Sequence, residues 1–240
     1  SHHKTAGAPN FGRSRETLPR IEEAAKRQKV GLDVYPYPAS STVLSADMIP
    51  RSKKILVAWS KTRPEFAGQD LKDVAKALGC SQEEAIDRLL PAGGIYFAMD
   101  EEDVRRIMAF PQSMIGSDGL PNDEHPHPRL WGTFPRVLGH YVRELGLFGL
   151  ETAVHKMTGL SAHRFGLKDR GVVRAGAFAD LVLFDPVAVI DRATFEKPVQ
   201  AAAGIELVMV NGRVAWKDGR ATGARAGRAL RRQEQTLPMA

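Results

Sequence analysis

Residues 14–35 read SRETLPRIEEAAKRQKVGLDVY, and this stretch decides the fold class. Its first part places apolar side chains at helical spacing, which predicts an amphipathic helix over 14–29. The apolar positions are Leu18, Ile21, Ala24 and Ala25. The segment VGLDVY that follows predicts a short buried strand, which Pro36 and Pro38 end. A helix followed by a strand with polar residues at its carboxyl end is typical of βα barrels, so we expect an α/β fold.

Composition places the chain among globular proteins. The 240 residues carry 34 Lys and Arg against 28 Asp and Glu, a net charge of +6. Hydrophobic residues make up 43% and charged residues 26%, which excludes a disordered chain. No stretch approaches the about 18 consecutive apolar residues of a membrane helix, so we expect no membrane partner. The single cysteine, Cys80, excludes an internal disulfide framework and fits a reducing compartment, so we expect a cytoplasmic protein.

The basic excess lies mostly near the C-terminus. Residues 220–232 read RATGARAGRALRR, with five arginines and no acid. A basic module that binds nucleic acid is therefore the non-enzymatic alternative. Elsewhere basic and acidic residues are mixed, as on solvated helix faces, and aromatic residues do not alternate with basic ones as in base-stacking surfaces. We therefore interpret 220–240 as a solvated, poorly ordered basic tail and expect no nucleic-acid partner.

We divide the chain into five segments, 1–37, 38–113, 114–169, 170–219 and 220–240. The second segment breaks the barrel pattern and is interpreted as a large insertion over one face. It contains the strand-like KILVAWS at 54–60, helices near 69–78 and 82–90, a Gly-Gly turn at 93–94 and a helix from about Glu101.

The third and fourth segments predict different kinds of structure. MIGSDG at 114–119 predicts a short buried strand, and helices are expected near 133–146 and 150–158. The fourth segment is rich in β-forming residues, and its Asn-Gly and Asp-Gly dipeptides at 211–212 and 218–219 favour hairpins. We therefore expect an α/β part followed by an all-β part.

Five motifs carry a family resemblance. They are SHHKTAG at 1–7, DVYPYPASST at 33–42, GSDG at 116–119, HPHPRLWGTFPRVL at 125–138 and AVHKMTGLSAHRFGLKDRGVVRAGAFADLVLFDP at 153–186. In this order and at these intervals, the set resembles the D-aminoacylases (N-acyl-D-amino-acid deacylases) of the amidohydrolase superfamily. The resemblance runs from Ser1 to about Arg228.

The resemblance implies a zinc-binding (β/α)8 barrel of the TIM type flanked by a small β-sandwich. It also implies that this chain is the C-terminal part of the enzyme, with the N-terminal part of the same enzyme as its partner. Segments 1–37 and 114–169 would supply the last barrel strands, 38–113 an insertion over the active-site face, and 170–219 the last sandwich strands.

A hydrolytic zinc site needs about three protein ligands, an open position for water and a carboxylate that takes the proton of that water. The resemblance implies that His2 is a metal ligand at the end of the sixth strand. It implies that Asp118, at the end of the eighth strand, lies on or beside the metal. Asp118 would also pass the proton of the attacking water to the leaving amine. Without the resemblance, His2 is equally a tag remnant or surface histidine, and Asp118 a turn residue.

The resemblance also implies one or two zinc ions, with the remaining ligands upstream of Ser1. Cys80 lies between two predicted helices and is not expected to replace them. His125 and His127 have the spacing of a two-histidine metal motif, but in the family this loop shapes the substrate pocket.

An N-acyl amino acid carries an α-carboxylate, which an arginine can hold with two hydrogen bonds. The resemblance implies that four residues surround this group and the scissile amide: Lys4, Tyr35, Ser41 and Arg129. It implies that Tyr96 and Met99 form the wall around the substrate side chain. Their spacing of three among apolar residues would otherwise indicate plain core.

The preferred substrate side chain is open at this point. Tyr96 and Met99 favour an apolar side chain, whereas the basic segment after the YPYPASST loop favours an acidic one, with Arg51 as the pairing residue. We lean to N-acyl-D-glutamate, with apolar N-acyl-D-amino acids as the alternative. Another amidohydrolase, such as a cyclic amidase, is the second enzymatic alternative.

Overall fold

The computed structural model describes residues 1–120 and 123–231, so the last part of the expected tail, 232–240, lies outside the described residues. The strands are β1 (Leu32–Val34), β2 (Ser40–Val43), β3 (Ile55–Ser60), β4 (Ala92–Tyr96), β5 (Ser113–Ile115), β6 (Leu181–Phe184), β7 (Ile205–Val210), β8 (Arg213–Lys217) and β9 (Arg220–Ala221). The α-helices are α1 (Ser14–Ala25), α2 (Leu71–Leu78), α3 (Gln82–Leu89), α4 (Glu101–Ala109), α5 (Arg129–Arg136), α6 (Leu150–Met157) and α7 (Gly159–Phe165).

Shorter helical turns complete the described structure. Three are 3-10 turns, at Ala8–Asn10, Ala46–Arg51 and Pro64–Phe66, and α5 continues directly into a π-helix at Val137–Glu144. Within the described part of the chain, no helix combines the length and the apolar character that crossing a bilayer requires.

Strands β1 and β5 form a parallel pair although about 80 residues separate them along the chain. Leu32 and Val34 are buried, whereas Asp33 between them points to the opposite face. Helix α4 is part of the connection between the two strands and packs on both of them through Val104 and Ile107. Strand β1 lies before the expected insertion at 38–113, and β5 begins at its end. The expected α/β arrangement is therefore present on both sides of that segment.

Residues 38–99 leave this pair as a separate excursion with its own sheet. The sheet is antiparallel in the order β2-β4-β3, and α2 and α3 pack together beside it. The excursion closes at its base, where the Met99 N–H donates to the Pro38 carbonyl at 3.1 Å. The insertion boundary therefore differs from the expected 38–113, because α4 shares its core with β1 and β5.

The Gly-Gly turn expected at 93–94 is wrong, because both glycines lie in the central strand β4. A Cβ on Gly93 would overlap the Trp59 indole, and one on Gly94 would lie 2.8 Å from Leu44 Cδ1. The two glycines therefore make room for neighbouring side chains, which is a packing requirement and not a turn requirement.

The C-terminal strands form an antiparallel sheet in the order β6-β7-β8-β9. Asn211 and Gly212 have φ of 48° and 77° and join β7 to β8. Asp218 and Gly219 have φ of 53° and 74° and join β8 to β9. Both expected hairpins are confirmed, because this turn chemistry needs positive φ at two successive residues.

The segment expected to be a solvated tail begins inside this sheet. Strand β9 is its first part, and the Asn211 side chain donates to the Ala226 carbonyl at 2.7 Å. The Arg228 guanidinium lies 4.1 Å from the centre of the Phe178 ring. Most residues of 220–231 are exposed, as expected of a solvated segment, but the segment contacts the all-β part through β9, Ala226 and Arg228 and is not a free tail.

Candidate active site

The first residues of the chain run beside β1. The His3 N–H donates to the Asp33 carbonyl at 2.8 Å, and the Gly7 N–H donates to the Ala98 carbonyl at 2.7 Å. His2 has φ of 55°, a conformation that costs a non-glycine residue about 1–3 kcal/mol unless its surroundings hold it. This segment therefore places His2 and Lys4 near the end of β1. The unfavourable φ of His2 requires contacts that stabilise it.

Two carboxylates lie against His2. Asp33 Oδ1 accepts from the His2 backbone N–H at 2.9 Å, and Asp33 Oδ2 lies 2.9 Å from Nδ1 of the ring. Nδ1 is buried, and its N–H is not aligned on an acceptor among the described residues. On the opposite edge of the ring, Nε2 lies 3.4 Å from Asp118 Oδ2.

Asp118 follows β5 in the segment GSDG. Its Oδ1 accepts from the Gly119 N–H at 2.8 Å, and its Oδ2 lies 2.7 Å from the Arg129 guanidinium. The Ser117 hydroxyl donates to the Arg129 carbonyl at 2.9 Å and ties this loop to α5. The Asp118 side chain is 43% exposed, so one of its faces remains open to an incoming molecule.

Arg129 is a buried cation with unfilled hydrogen-bonding capacity. Its side chain is 3% exposed, and its guanidinium lies over the Tyr35 ring at 4.5 Å. It contacts the Ser41 carbonyl at 3.4 Å, while its Nε is buried without a partner among the described residues. A buried guanidinium with a spare donor is suited to bind a further anion.

Lys4 and Tyr35 form a second polar pair beside Arg129. Lys4 Nζ donates to the Tyr35 hydroxyl at 2.9 Å. Burial and the neighbouring Arg129 lower the pKa of Lys4. Burial raises the pKa of Tyr35 to about 12, so Tyr35 is a neutral hydroxyl at physiological pH.

His127, which the sequence singled out together with His125 as a possible two-histidine motif, is a buried histidine with hydrogen bonds on both ring nitrogens. Its Nδ1 accepts from the Arg129 N–H at 3.0 Å, so the proton lies on Nε2, which donates to the Ala39 carbonyl at 3.1 Å. Burial, Arg129 and Lys4 hold the pKa of His127 well below its usual range. Both nitrogens of His127 are therefore occupied by backbone partners, and the pocket role of this loop stays a prediction.

Met99 lies close to the polar cluster, whereas Tyr96 and Arg51 do not join it. Met99 packs with Tyr35 at the base of the excursion. Tyr96 is fully buried in the excursion core, and its hydroxyl donates to the Val43 carbonyl at 2.8 Å. Arg51 is exposed at the end of a 3-10 turn, and its Cβ and Cγ lie beside Gly7. The proposed roles of these three residues stay predictions.

Two functional carboxylates were missed from the sequence. Asp33 contacts His2, and a charged residue between Leu32 and Val34 in an apolar strand was a usable signal, because a buried charge requires a partner. Asp103 on α4 is buried and accepts from Thr5 and from the start of α1, and its sequence context EEDVRR gave no such signal.

The cluster can supply part of a metal site. Burial lowers the pKa of His2 and outweighs Asp33 and Asp118, which raise it, so the ring is neutral and can bind a metal. Two ligands about 2.0–2.1 Å from a tetrahedral zinc stand about 3.4 Å apart. Nε2 of His2 and Oδ2 of Asp118 have this separation. Residues 1–120 and 123–231 contain no group of three or more His, Cys, Asp or Glu arranged to hold a metal.

Three curated proteins from Alcaligenes xylosoxydans xylosoxydans are similar to nearly the whole chain. A D-aminoacylase is 60% identical over 97% of this chain and 48% of its own length. An N-acyl-D-aspartate deacylase is 55% identical over 96% of this chain and 46% of its own length. An N-acyl-D-glutamate deacylase is 52% identical over 97% of this chain and 48% of its own length. The chain thus spans about half the length of the curated relatives it matches.

Solved structures of proteins with the same kinds of names are also similar to nearly the whole chain. A D-aminoacylase with a binuclear metal centre superposes with a TM-score of 0.93 at 58% identity, over 96% of this chain and 49% of that one. An N-acyl-D-glutamate deacylase from Bordetella bronchiseptica, with zinc and a phosphonate inhibitor, has a TM-score of 0.92 at 51% identity, over 96% and 48%. The model described as the amidohydrolase family matches residues 7–216. The chain therefore belongs to the amidohydrolase family.

Proposed function

We propose that this chain is the C-terminal part of a zinc-dependent hydrolase that converts N-acyl-D-amino acids into a carboxylate and a free D-amino acid. The observation that carries the proposal is the meeting of His2, Asp118 and Arg129 in one partly buried cluster, with Lys4 and Tyr35 beside it. The relatives at 52–60% identity, all named for N-acyl-D-amino-acid chemistry, support it.

The proposal includes the complete fold. The parallel pair β1-β5 would belong to a (β/α)8 barrel that the N-terminal part of the same protein completes. The sheet β6-β7-β8-β9 would belong to a β-sandwich. The high TM-scores over 96% of the chain support this, because the strands of this chain then occupy the places they have in the complete relatives.

His2 and Asp118 would hold zinc together with ligands from the N-terminal part. The separation of 3.4 Å between Nε2 of His2 and Oδ2 of Asp118 supports this. When bound, zinc would act as a Lewis acid that polarises the acyl carbonyl and makes a water molecule more acidic.

Asp118 would take the proton of the attacking water and deliver it to the leaving nitrogen. Its Oδ2 lies within reach of both His2 and Arg129, and 43% of the side chain is exposed. The backbone N–H of Gly119 fixes the other oxygen at 2.8 Å, so the carboxylate is oriented before the substrate arrives.

Arg129, Lys4, Tyr35 and Ser41 would hold the substrate α-carboxylate. Arg129 is buried with a spare N–H, and Lys4 brings a second positive charge that has no carboxylate partner within 4 Å among the described residues. A substrate carboxylate would therefore offset two nearby cations, and Tyr35 would donate its neutral hydroxyl.

The substrate side chain would be apolar. Met99 is nearly buried against Tyr35 and so offers an apolar wall beside the carboxylate site. Arg51 is exposed, and a solvated arginine contributes only about 0–1 kcal/mol to an ion pair. N-acyl-D-glutamate, which the sequence favoured through Arg51, stays the alternative substrate.

The test is Asp118→Asn in the complete protein, with exposed Asp87→Asn on α3 as control. Asparagine keeps the shape but cannot accept the proton, so kcat for N-acetyl-D-methionine should fall about 10²–10⁴-fold at saturating zinc. Near-normal turnover would remove Asp118 from the mechanism. If the unaltered protein releases no free D-amino acid from any N-acyl-D-amino acid but opens cyclic amides, the proposed function is wrong.

A further inference from the structure

Asp33 meets His2 on two sides. One carboxylate oxygen accepts from the His2 backbone N–H at 2.9 Å, and the other lies 2.9 Å from the ring Nδ1. The first contact is a hydrogen bond that fixes the main chain, and the second places the carboxylate charge beside one edge of the ring, although the Nδ1 N–H is not aligned on it. They leave Nε2 on the opposite edge, where it faces Asp118.

The position of Asp33 is built into both strands of the parallel pair. On β1, the alternation of buried Leu32 and Val34 turns Asp33 away from the core towards His2. Directly after β5, a Cβ on Gly116 would lie 2.6 Å from Asp33 Oδ2 and 3.4 Å from its Cγ. The glycine in GSDG therefore leaves the space that the carboxylate fills.

The backbone conformation of His2 requires a contact that stabilises it. Its φ of 55° is unfavourable for a residue with a side chain, and the Asp33 hydrogen bond to its N–H is formed in that conformation. Without the hydrogen bond, His2 could relax to an extended backbone, and Nε2 would turn away from Asp118.

We propose that Asp33 is the positioning residue of the metal site, which orients His2 so that Nε2 presents its lone pair next to Asp118. The inference rests on the proposed function. A carboxylate that accepts the second N–H of a metal-binding imidazole fixes its tautomer and its ring orientation, and its loss typically weakens metal affinity about 10–100-fold. Asp33 would act through His2, which both of its oxygens approach.

The first variant is Asp33→Asn in the complete protein. An amide has one oxygen, so it can serve the His2 N–H or the ring Nδ1 but not both. Zinc affinity, measured by competition with a chromophoric chelator, should fall about 10–100-fold. The visible spectrum of the cobalt-substituted protein should shift. At saturating zinc, KM should stay near its normal value because Arg129 and Lys4 are unchanged.

The second variant leaves the carboxylate intact and moves it. Gly116→Ala should displace Asp33 Oδ2 and weaken zinc binding in the same direction, whereas Gly149→Ala, whose Cβ would meet only Glu151 at 3.5 Å, should not. In an Asp33→Ala background, Gly116→Ala should have little further effect on zinc affinity, because the group that it displaces is gone.

The outcomes separate this inference from the proposed function. If the unaltered protein binds zinc and both variants bind it with unchanged affinity and cobalt spectrum, Asp33 has no positioning role. If Asp33→Asn fails to fold, Gly116→Ala decides alone, and unchanged zinc affinity in that variant overturns the inference. If the unaltered protein neither binds zinc nor hydrolyses N-acyl-D-amino acids, the proposed function fails, and this inference fails with it.

Discussion

Substituting Asp103 by asparagine tests how the segment that carries His2 and Lys4 is held. The carboxylate is buried on α4. Its Oδ2 accepts from the Thr5 hydroxyl at 2.9 Å and the Gly12 N–H at 2.6 Å. Its Oδ1 accepts from the hydroxyl and N–H of Ser14 and from Arg106 at 2.9 Å. One side chain therefore anchors Thr5, next to Lys4, and the start of α1.

The magnitude follows from which donors can adapt. In Asp103→Asn the amide nitrogen is best placed at the Oδ2 position, where the Thr5 hydroxyl can reverse and accept, but the Gly12 N–H cannot. Losing that hydrogen bond to a charged acceptor costs about 1.5–3 kcal/mol, and weakening the partly exposed Arg106 pair adds about 0–1 kcal/mol. We expect a loss of about 2–4 kcal/mol in the free energy of unfolding.

The pH dependence gives a second signature. Burial alone raises the pKa of Asp103, but hydrogen bonds from Ser14, Gly12 and Thr5 outweigh it, and the pKa lies below the ordinary 3.8. A carboxyl group whose pKa is lower in the folded state than in the unfolded chain stabilises the fold. This contribution is complete at pH values above the pKa of the unfolded chain, and it is lost as the pH falls through the pKa of the folded state. The difference between Asp103→Asn and the unaltered protein should therefore be full near pH 7 and shrink below about pH 4.

The assay is urea unfolding of the complete protein at several pH values, followed by circular dichroism. Asp73→Asn is the matched control, because Asp73 is the third residue of α2, as Asp103 is of α4, but is exposed. Its effect should stay within about 1 kcal/mol. If Asp103→Asn matches this control, or if its effect does not change in acid, the anchoring role of Asp103 is refuted.

Two further predictions follow from the cluster and from α6. Arg51→Met should have the same small effect on kcat/KM for N-acetyl-D-glutamate and for N-acetyl-D-methionine, whereas Arg129→Met should lower both values strongly. If Arg51→Met selectively lowers kcat/KM for N-acetyl-D-glutamate, Arg51 binds an acidic substrate side chain. Lys156→Met should lower the unfolding free energy by about 1–3 kcal/mol, because the buried ammonium donates to the carbonyls of Phe110 and Ser113, and both of these hydrogen bonds would be lost. Thermal unfolding against exposed Lys168→Met measures it, and equal midpoints would contradict it.

Local chemistry made parts of the fold predictable. The hairpins at 211–212 and 218–219 depend on two residues that tolerate positive φ, and these residues are visible in the sequence. Strand β1 and helix α1 follow from apolar spacing over a few residues. The motif order also selected Lys4, Tyr35 and Arg129, which the structure brings together.

Contacts between distant segments set the rest. The glycines at 93–94 suggest a turn until Trp59 and Leu44 are known to pack over them. Asp33 gains its role only from His2 and Gly116, which lie 31 residues before it and 83 after it. The boundary of the insertion depends on whether α4 packs with the excursion or with β1 and β5. The amphipathic pattern of α4 does not predict which of the two cores it joins.

The closed base of the 38–99 excursion separates two evolutionary requirements. The excursion leaves and rejoins the parallel pair at one hydrogen bond between Pro38 and Met99, and it has its own core. The contacts among His2, Asp33 and Asp118 lie outside it. Substitutions in the core of the excursion, away from the Ala39 and Ser41 carbonyls that contact His127 and Arg129, can therefore accumulate while the contacts among His2, Asp33 and Asp118 stay unchanged.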